Sequence, residues 1–239
     1  LMKGTIAAAT DTGKVRSHNE DAYQALGGEK SPPSVDAVLL VADGMGGHAA
    51  GEVASGMTVT GVTELLASEG QESAQLKGSA YNVFLRGVLQ RVNSNVIEAA
   101  QDPVKNGMGP TCTLAVIKKG KVFLAHIGDS RAYLLRDGTL HQVTTDHSWV
   151  EEAVSQGLLS REQARVHPNR NVITRAIGIK SQAEIDKKII AMEDGDLLLL
   201  CSDGLTSMVP DEEINELLKP RDLAHTCKAL IDAANSHGG

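Results

Sequence analysis

Three aspartates in this chain stand beside a glycine at the end of an apolar run. Ala37-Val38-Leu39-Leu40-Val41-Ala42 leads into Asp43-Gly44, and Val122-Phe123-Leu124-Ala125-His126-Ile127 into Gly128-Asp129. Leu197-Leu198-Leu199-Leu200-Cys201-Ser202 leads into Asp203-Gly204. One such ending is ordinary turn chemistry, but three suggest carboxylates converging on one place. Two carboxylates about 4 Å apart repel by roughly 4 kcal/mol at an effective dielectric near 20, a cost that disappears when they hold a cation. The donors are all oxygen, with no Cys or His cluster, which favours Mg2+ or Mn2+ over Zn2+. In a two-metal site of this kind water becomes a nucleophile at neutral pH, and the natural reaction is hydrolysis of a phosphate ester.

The segment Arg16-Ser17-His18-Asn19-Glu20-Asp21 adds two carboxylates and an arginine within six residues. Arginine suits a bidentate grip on a phosphate dianion. Taken alone, the segment reads better as a solvated polar turn, because short charge clusters usually face water.

These residues need elements to position them. Apolar runs bounded by turn residues predict buried strands. The Gly-rich stretch after Asp43 leads to a predicted helix over 52–67. A second is expected over 76–100, with Phe84, Val88, Val92 and Val96 at helical spacing. Predicted hairpins pair 113–117 with 122–127 and 131–135 with 140–144, the second across Asp137-Gly138. Residues 148–168 predict two short helices broken at Gly157. A strand pair is expected over 189–192 and 197–201, and helices over 211–218 and 222–235. Hairpin-connected strands with segregated helices predict an α+β fold, since the regular alternation of a parallel sheet is absent.

Composition narrows the function classes. The 239 residues contain 41% apolar and 22% charged residues, which describes a globular chain, and nothing reads as an interdomain linker. A net charge of −7 argues against a nucleic-acid partner. No apolar stretch reaches the length of a membrane span, and the first residues lack the apolar core of a signal peptide. Cys112, Cys201 and Cys227 are odd in number and widely spaced, which fits reduced thiols and a cytoplasmic location.

Four motifs carry a family resemblance: Arg16-x-x-Asn19-Glu20-Asp21, Asp43-Gly44-Met45-Gly46-Gly47-His48-x-x-Gly51-Glu52, Gly128-Asp129-Ser130-Arg131 and Ser202-Asp203-Gly204-Leu205. In this order and spacing they resemble the metal-dependent protein phosphatases, the type 2C serine/threonine phosphatases in their compact bacterial form. The resemblance implies one catalytic domain over 1–239. Its fold would be a four-layer α-β-β-α sandwich of two antiparallel sheets flanked by helices, with a helical flap over about 146–168. It also implies site roles. Asp43 would bridge two core Mg2+ or Mn2+ ions, Gly44 would give a backbone carbonyl, and Asp203 would serve the other core ion. Glu20 and Asp21 match acidic positions that ligate metal or hold its water, and Arg16 matches the phosphate-binding arginine. Asp129, with Asp203, would bind a third, looser ion.

The chain also departs from the family pattern. The family places Asp-Asn and a final strand soon after a Gly-Gly like Gly238-Gly239, so a further carboxylate and strand are expected beyond Gly239. Met45 stands where eukaryotic members carry a histidine proposed as general acid. His48 is the nearest replacement, and it also reads as a helix cap. Pro110 stands where relatives carry a hydroxyl residue and removes a backbone donor. His126, His141 and His147 are too dispersed for a ligand set. His147 and Ser148 are expected to start the flap within reach of substrate, and Trp149 to anchor it. Lys118, Lys119 and Lys121 are expected at a solvated hairpin tip.

The implied activity is hydrolysis of phosphoserine and phosphothreonine in phosphorylated proteins, opposing bacterial Ser/Thr kinases. Kinase substrates or the kinase itself would be the partners, and the chain would act as a monomer. The alternatives are a catalytically weak phosphoprotein-binding relative and a phosphatase of anti-anti-sigma-type regulators.

Overall fold

The computed structural model describes residues 4–45, 49–102, 107, 109–220 and 222–239. The central strands at 37–45, 112–118, 121–127 and 131–136 bury both faces, which is why they read as continuous apolar runs rather than alternating ones. The larger sheet has the order β1 (Asp21–Gly27), β2 (Ala37–Met45), β4 (Cys112–Lys118), β5 (Lys121–Ile127), β8 (Asp186–Ala191), with the short β3 (Gly109–Pro110) on the end of β2. The smaller sheet has the order β7 (Thr139–Gln142), β6 (Arg131–Arg136), β9 (Leu197–Cys201). Every pairing is antiparallel.

Strand alternation divides the apolar side chains among three cores. Val38, Leu40, Leu114, Val116, Phe123 and Ile127 face helices α1 (Ala49–Ser68) and α2 (Ser79–Ala99). Their neighbours Ala37, Ala115, Ile117, Val122 and Leu124 face the smaller sheet, meeting Ala132, Leu198 and Leu200. Leu135, Leu197 and Leu199 leave the far side of that sheet for helices α6 (Asp211–Leu217) and α7 (Leu223–Ser236), where Ile214 and Leu230 receive them. Helix, sheet, sheet and helix layers follow from this period of two. Each fully buried leucine, such as Leu85, Leu89 or Leu114, contributes about 1.5–3 kcal/mol.

Both predicted hairpins form. Lys119-Gly120 and Asp137-Gly138 take positive φ (50° and 74°, 50° and 77°), the two-residue turn that suits strand twist. The expected pairing of 189–192 with 197–201 does not form. β8 pairs with β5 in the larger sheet and β9 pairs with β6 in the smaller one. Their short connection crosses between layers, and Arg136 grips Asp196 in it with bonds of 2.9 and 2.6 Å.

Lys118 is also not at a solvated tip. Its side chain is buried, and Nζ donates to the carbonyls of Ser73, Ala74 and Leu76 at 3.0, 3.1 and 3.3 Å, while lying over the Tyr81 ring. It thereby holds a 3-10 turn at Glu72–Gln75. That turn and Gly78, at φ 53°, explain why α2 begins at Ser79 rather than near 76.

The two short flap helices are α3 (Trp149–Ser155), capped by Ser148, and α4 (Arg161–Val166), started by a Ser160/Gln163 capping box. Trp149 stacks on His167, with ring centroids 4.8 Å apart. His147 and Ser148 are buried. His147 Nδ1 accepts from the Gly128 N–H and Ser148 Oγ from the Glu151 N–H. The sequence reading lacked α5 (Asp203–Thr206), a single turn that begins at one of the three aspartates.

Candidate active site

The cross-strand register brings the acidic groups together. Asp21 lies opposite Asp43, so two carboxylates leave the same face of adjacent strands. Asn19 fixes the entry to β1: its Oδ1 accepts from the Asp21 N–H at 3.0 Å and its amide donates to Thr10 Oγ1 at 2.8 Å. β9 brings the third carboxylate from the other sheet. Ser202, just past its end, donates to Asp21 Oδ2 at 2.6 Å, and Asp203 follows at the start of α5.

Burial raises the Asp43 carboxyl far above the ordinary range, and Asp21, Asp203 and Asp129 add to the rise. Burial likewise raises Asp21, partly offset by the Ser202 hydroxyl. Asp129 is pushed up to about 7, first by burial and then by Asp203 and Asp146. Its Oδ1 is buried and accepts no hydrogen bond. Among the described residues no three His, Cys, Asp or Glu side chains form a finished ligand group. The cluster is instead a set of mutually repelling carboxylates with one unsatisfied oxygen. Such a donor set fits a hard divalent cation, because Mg2+ keeps several waters and needs only one or two protein carboxylates.

Gly44 is required by close approach. A Cβ there would fall 2.1 Å from the Gly51 carbonyl oxygen and 2.7 Å from that of Glu20. The first turn of α1 therefore packs directly on the strand that carries Asp43. Arg16 is exposed at the rim, with its guanidinium 4.0 Å from Glu20. Arg16, Glu20, Asp21, Asp43, Asp203 and Arg170 all line one groove of about 540 Å³. His48, with Gly46 and Gly47, lies outside the described residues. Pro110 in β3 pairs with Gly44 in β2, and its carbonyl accepts from the Ile177 N–H at 3.0 Å.

Sequence reasoning missed three participants. Asp146 lies close enough to Asp129 to raise its pKa, and the Arg131 guanidinium grips it with bonds of 2.7–3.0 Å. Its one signal was the Asp-His-Ser that follows β7. Thr111 and Ser130 link the Asp43 strand to the Asp129 turn through buried hydroxyls 2.7 Å apart. Both lie between strands, and although Ser130 stands in the Gly128-Asp129-Ser130-Arg131 motif, nothing local in the sequence marks the contact between them.

The chain is similar to known proteins along nearly its whole length. The protein phosphatase 2C family model matches residues 13–237. The serine/threonine phosphatase stp of Listeria welshimeri is 41% identical over 233 residues, covering 96% of this chain and 89% of that protein. The serine/threonine phosphatase of S. agalactiae superposes with a TM-score of 0.87 at 35% identity, covering 97% of this chain and 93% of the other. The catalytic domain of the phosphatase PstP, solved in complex with two manganese ions, gives a TM-score of 0.80 at 36% identity, with coverages of 97% and 91%.

Proposed function

Because the chain belongs to the protein phosphatase 2C family, we propose that the Asp21–Asp43–Asp203 cluster is the catalytic centre of a phosphoserine and phosphothreonine phosphatase. The protein is a divalent-metal-dependent serine/threonine phosphatase whose substrates are phosphorylated proteins. The observation that carries the site assignment is the convergence of these carboxylates beside the unpartnered Asp129 oxygen.

Asp43 would serve both core cations, Gly44 would add its carbonyl, and Asp203 would complete the second position. Glu20 and Asp21 would ligate a cation or hold its water, and Asp129 with Asp203 would hold a third ion. Mg2+ and Mn2+ suit these oxygens equally, and when bound they supply charge neutralisation and a lowered pKa for the attacking water.

Arg16 would hold the phosphate dianion at the groove mouth through its planar fork. Water attacks phosphorus, the bond to the serine or threonine oxygen breaks, and the departing alkoxide takes a proton. His48, or a water held by the cations, would supply it. No phosphoenzyme forms, and Cys112 and Cys201 are buried with thiols pushed up to about 12, which makes them poor nucleophiles. No helix among the described residues is long and apolar enough to cross a membrane. We read the chain as a single cytoplasmic catalytic domain, acting as a monomer against a bacterial Ser/Thr kinase.

The test is hydrolysis of p-nitrophenyl phosphate with Mn2+, with chelator, and with Asp43→Asn. Loss of activity in both of the latter supports the reading. Activity that survives both would sink it.

A further inference from the structure

We propose that the buried Thr111–Ser130 hydroxyl pair is a positioning device that sets the spacing between the Asp43 strand and the Asp129 turn. It would thereby set the spacing between the core cations and the third one. The inference rests on the ligand roles proposed above for Asp43 and Asp129.

Thr111 and Ser130 are both fully buried. Thr111 holds Asp43 by two opposed bonds. Its N–H donates to the Asp43 carbonyl at 2.9 Å, and its Oγ1 accepts from the Asp43 N–H at 3.0 Å. The same Oγ1 lies 2.7 Å from Ser130 Oγ. Ser130 is fixed from its other side, where Thr113 Oγ1 donates to its carbonyl at 3.0 Å. Asp129 sits between Gly128 and Ser130, and this turn packs directly on Thr111. A Cβ at Gly128 would fall 2.6 Å from Thr111 Cβ and Cγ2.

The two halves of the threonine therefore do separate work. The methyl seats the Gly128 turn, and the hydroxyl ties that turn to the backbone of Asp43. Packing alone would be met by valine. A buried hydroxyl is retained without loss only where its partners are present, and here both partners belong to ligand-bearing segments. Removal of groups that orient metal ligands typically costs 10- to 100-fold in metal affinity.

The experiment is Mn2+ titration calorimetry on the intact chain, with circular dichroism as the check on folding. Thr111→Val is expected to weaken both the tight and the loosest Mn2+ binding by roughly tenfold. Ser130→Ala, which cuts the tie to the Asp129 turn but leaves both bonds between Thr111 and Asp43 in place, is expected to weaken only the loosest. Thr111→Ser, which keeps the hydroxyl, is expected to bind Mn2+ as the wild type does. Wild-type Mn2+ affinities in folded Thr111→Val and Ser130→Ala would overturn the inference, even with a lowered Tm. If Thr111→Val does not fold, Ser130→Ala decides alone by the same criterion. Asp43→Asn and Asp129→Ala serve as controls: if neither alters Mn2+ binding, the ligand roles fail and the inference falls with them.

Discussion

Asp129 is where burial and charge conflict. Its carboxyl titrates near 3.8 when exposed and near 7 in the folded chain. Without metal, the stability linked to this group is complete below about pH 4 and is lost as pH rises through about 7. In chelator, Asp129→Asn is expected to be more stable than wild type at pH 8, by up to about 4 kcal/mol, and nearly equal at pH 4. Saturating Mn2+ should reverse the sign, since only the wild type keeps the carboxylate. Urea denaturation at the two pH values measures both, and a pH-independent difference in chelator would contradict the burial argument. Lys118 is the opposite case, a buried cation fully used by three carbonyls. Lys118→Met leaves those acceptors unpaired and should cost about 2–4 kcal/mol. It lies at the far end of β4 from Thr111, roughly 20 Å away. Turnover per folded molecule should therefore stay near wild type; a large fall would mean that the 3-10 turn reaches the site.

At the level of elements, the contact between the end of β2 and the start of α1 is the most constrained. Gly44→Ala would drive a methyl into the Gly51 carbonyl and must displace either the strand end or the helix. A displacement near 1 Å at a catalytic group costs on the order of 100-fold in rate, so Gly44→Ala should lose about that much activity with its circular dichroism unchanged. The flap is built differently, from two helices of 7 and 6 residues held by the Trp149–His167 stack. Helices this short do not persist without tertiary support. Trp149→Ala is expected to speed amide exchange across residues 149–166 while leaving the core strands protected. Unchanged exchange there would show that the stack is not what anchors the flap.

For the whole molecule, the larger sheet carries Asp21 and Asp43 while β9 of the smaller sheet leads into Asp203. Ions held between them would link the two sheets. At 100 times its dissociation constant, a bound metal adds about 2.7 kcal/mol, which for a chain of this size raises Tm by roughly 5–10 °C. Thermal melts with Mn2+ and with chelator check this; superimposable curves would argue against a site bridging the layers. Most of the strands, both Gly-containing hairpins, the principal helices and the acidic residues at strand ends were legible from the sequence. They depend on local features: runs of apolar residues, helical spacing and turn chemistry within a few positions. Beyond the two hairpins the sequence alone did not decide which strands would pair, and its adjacent β8 and β9 went to different sheets. Nor did it reveal that Lys118 would be buried, or that Ser202 would bond to Asp21, 181 residues away. Those outcomes depend on which faces the layers bury against one another, and only the tertiary structure decided them.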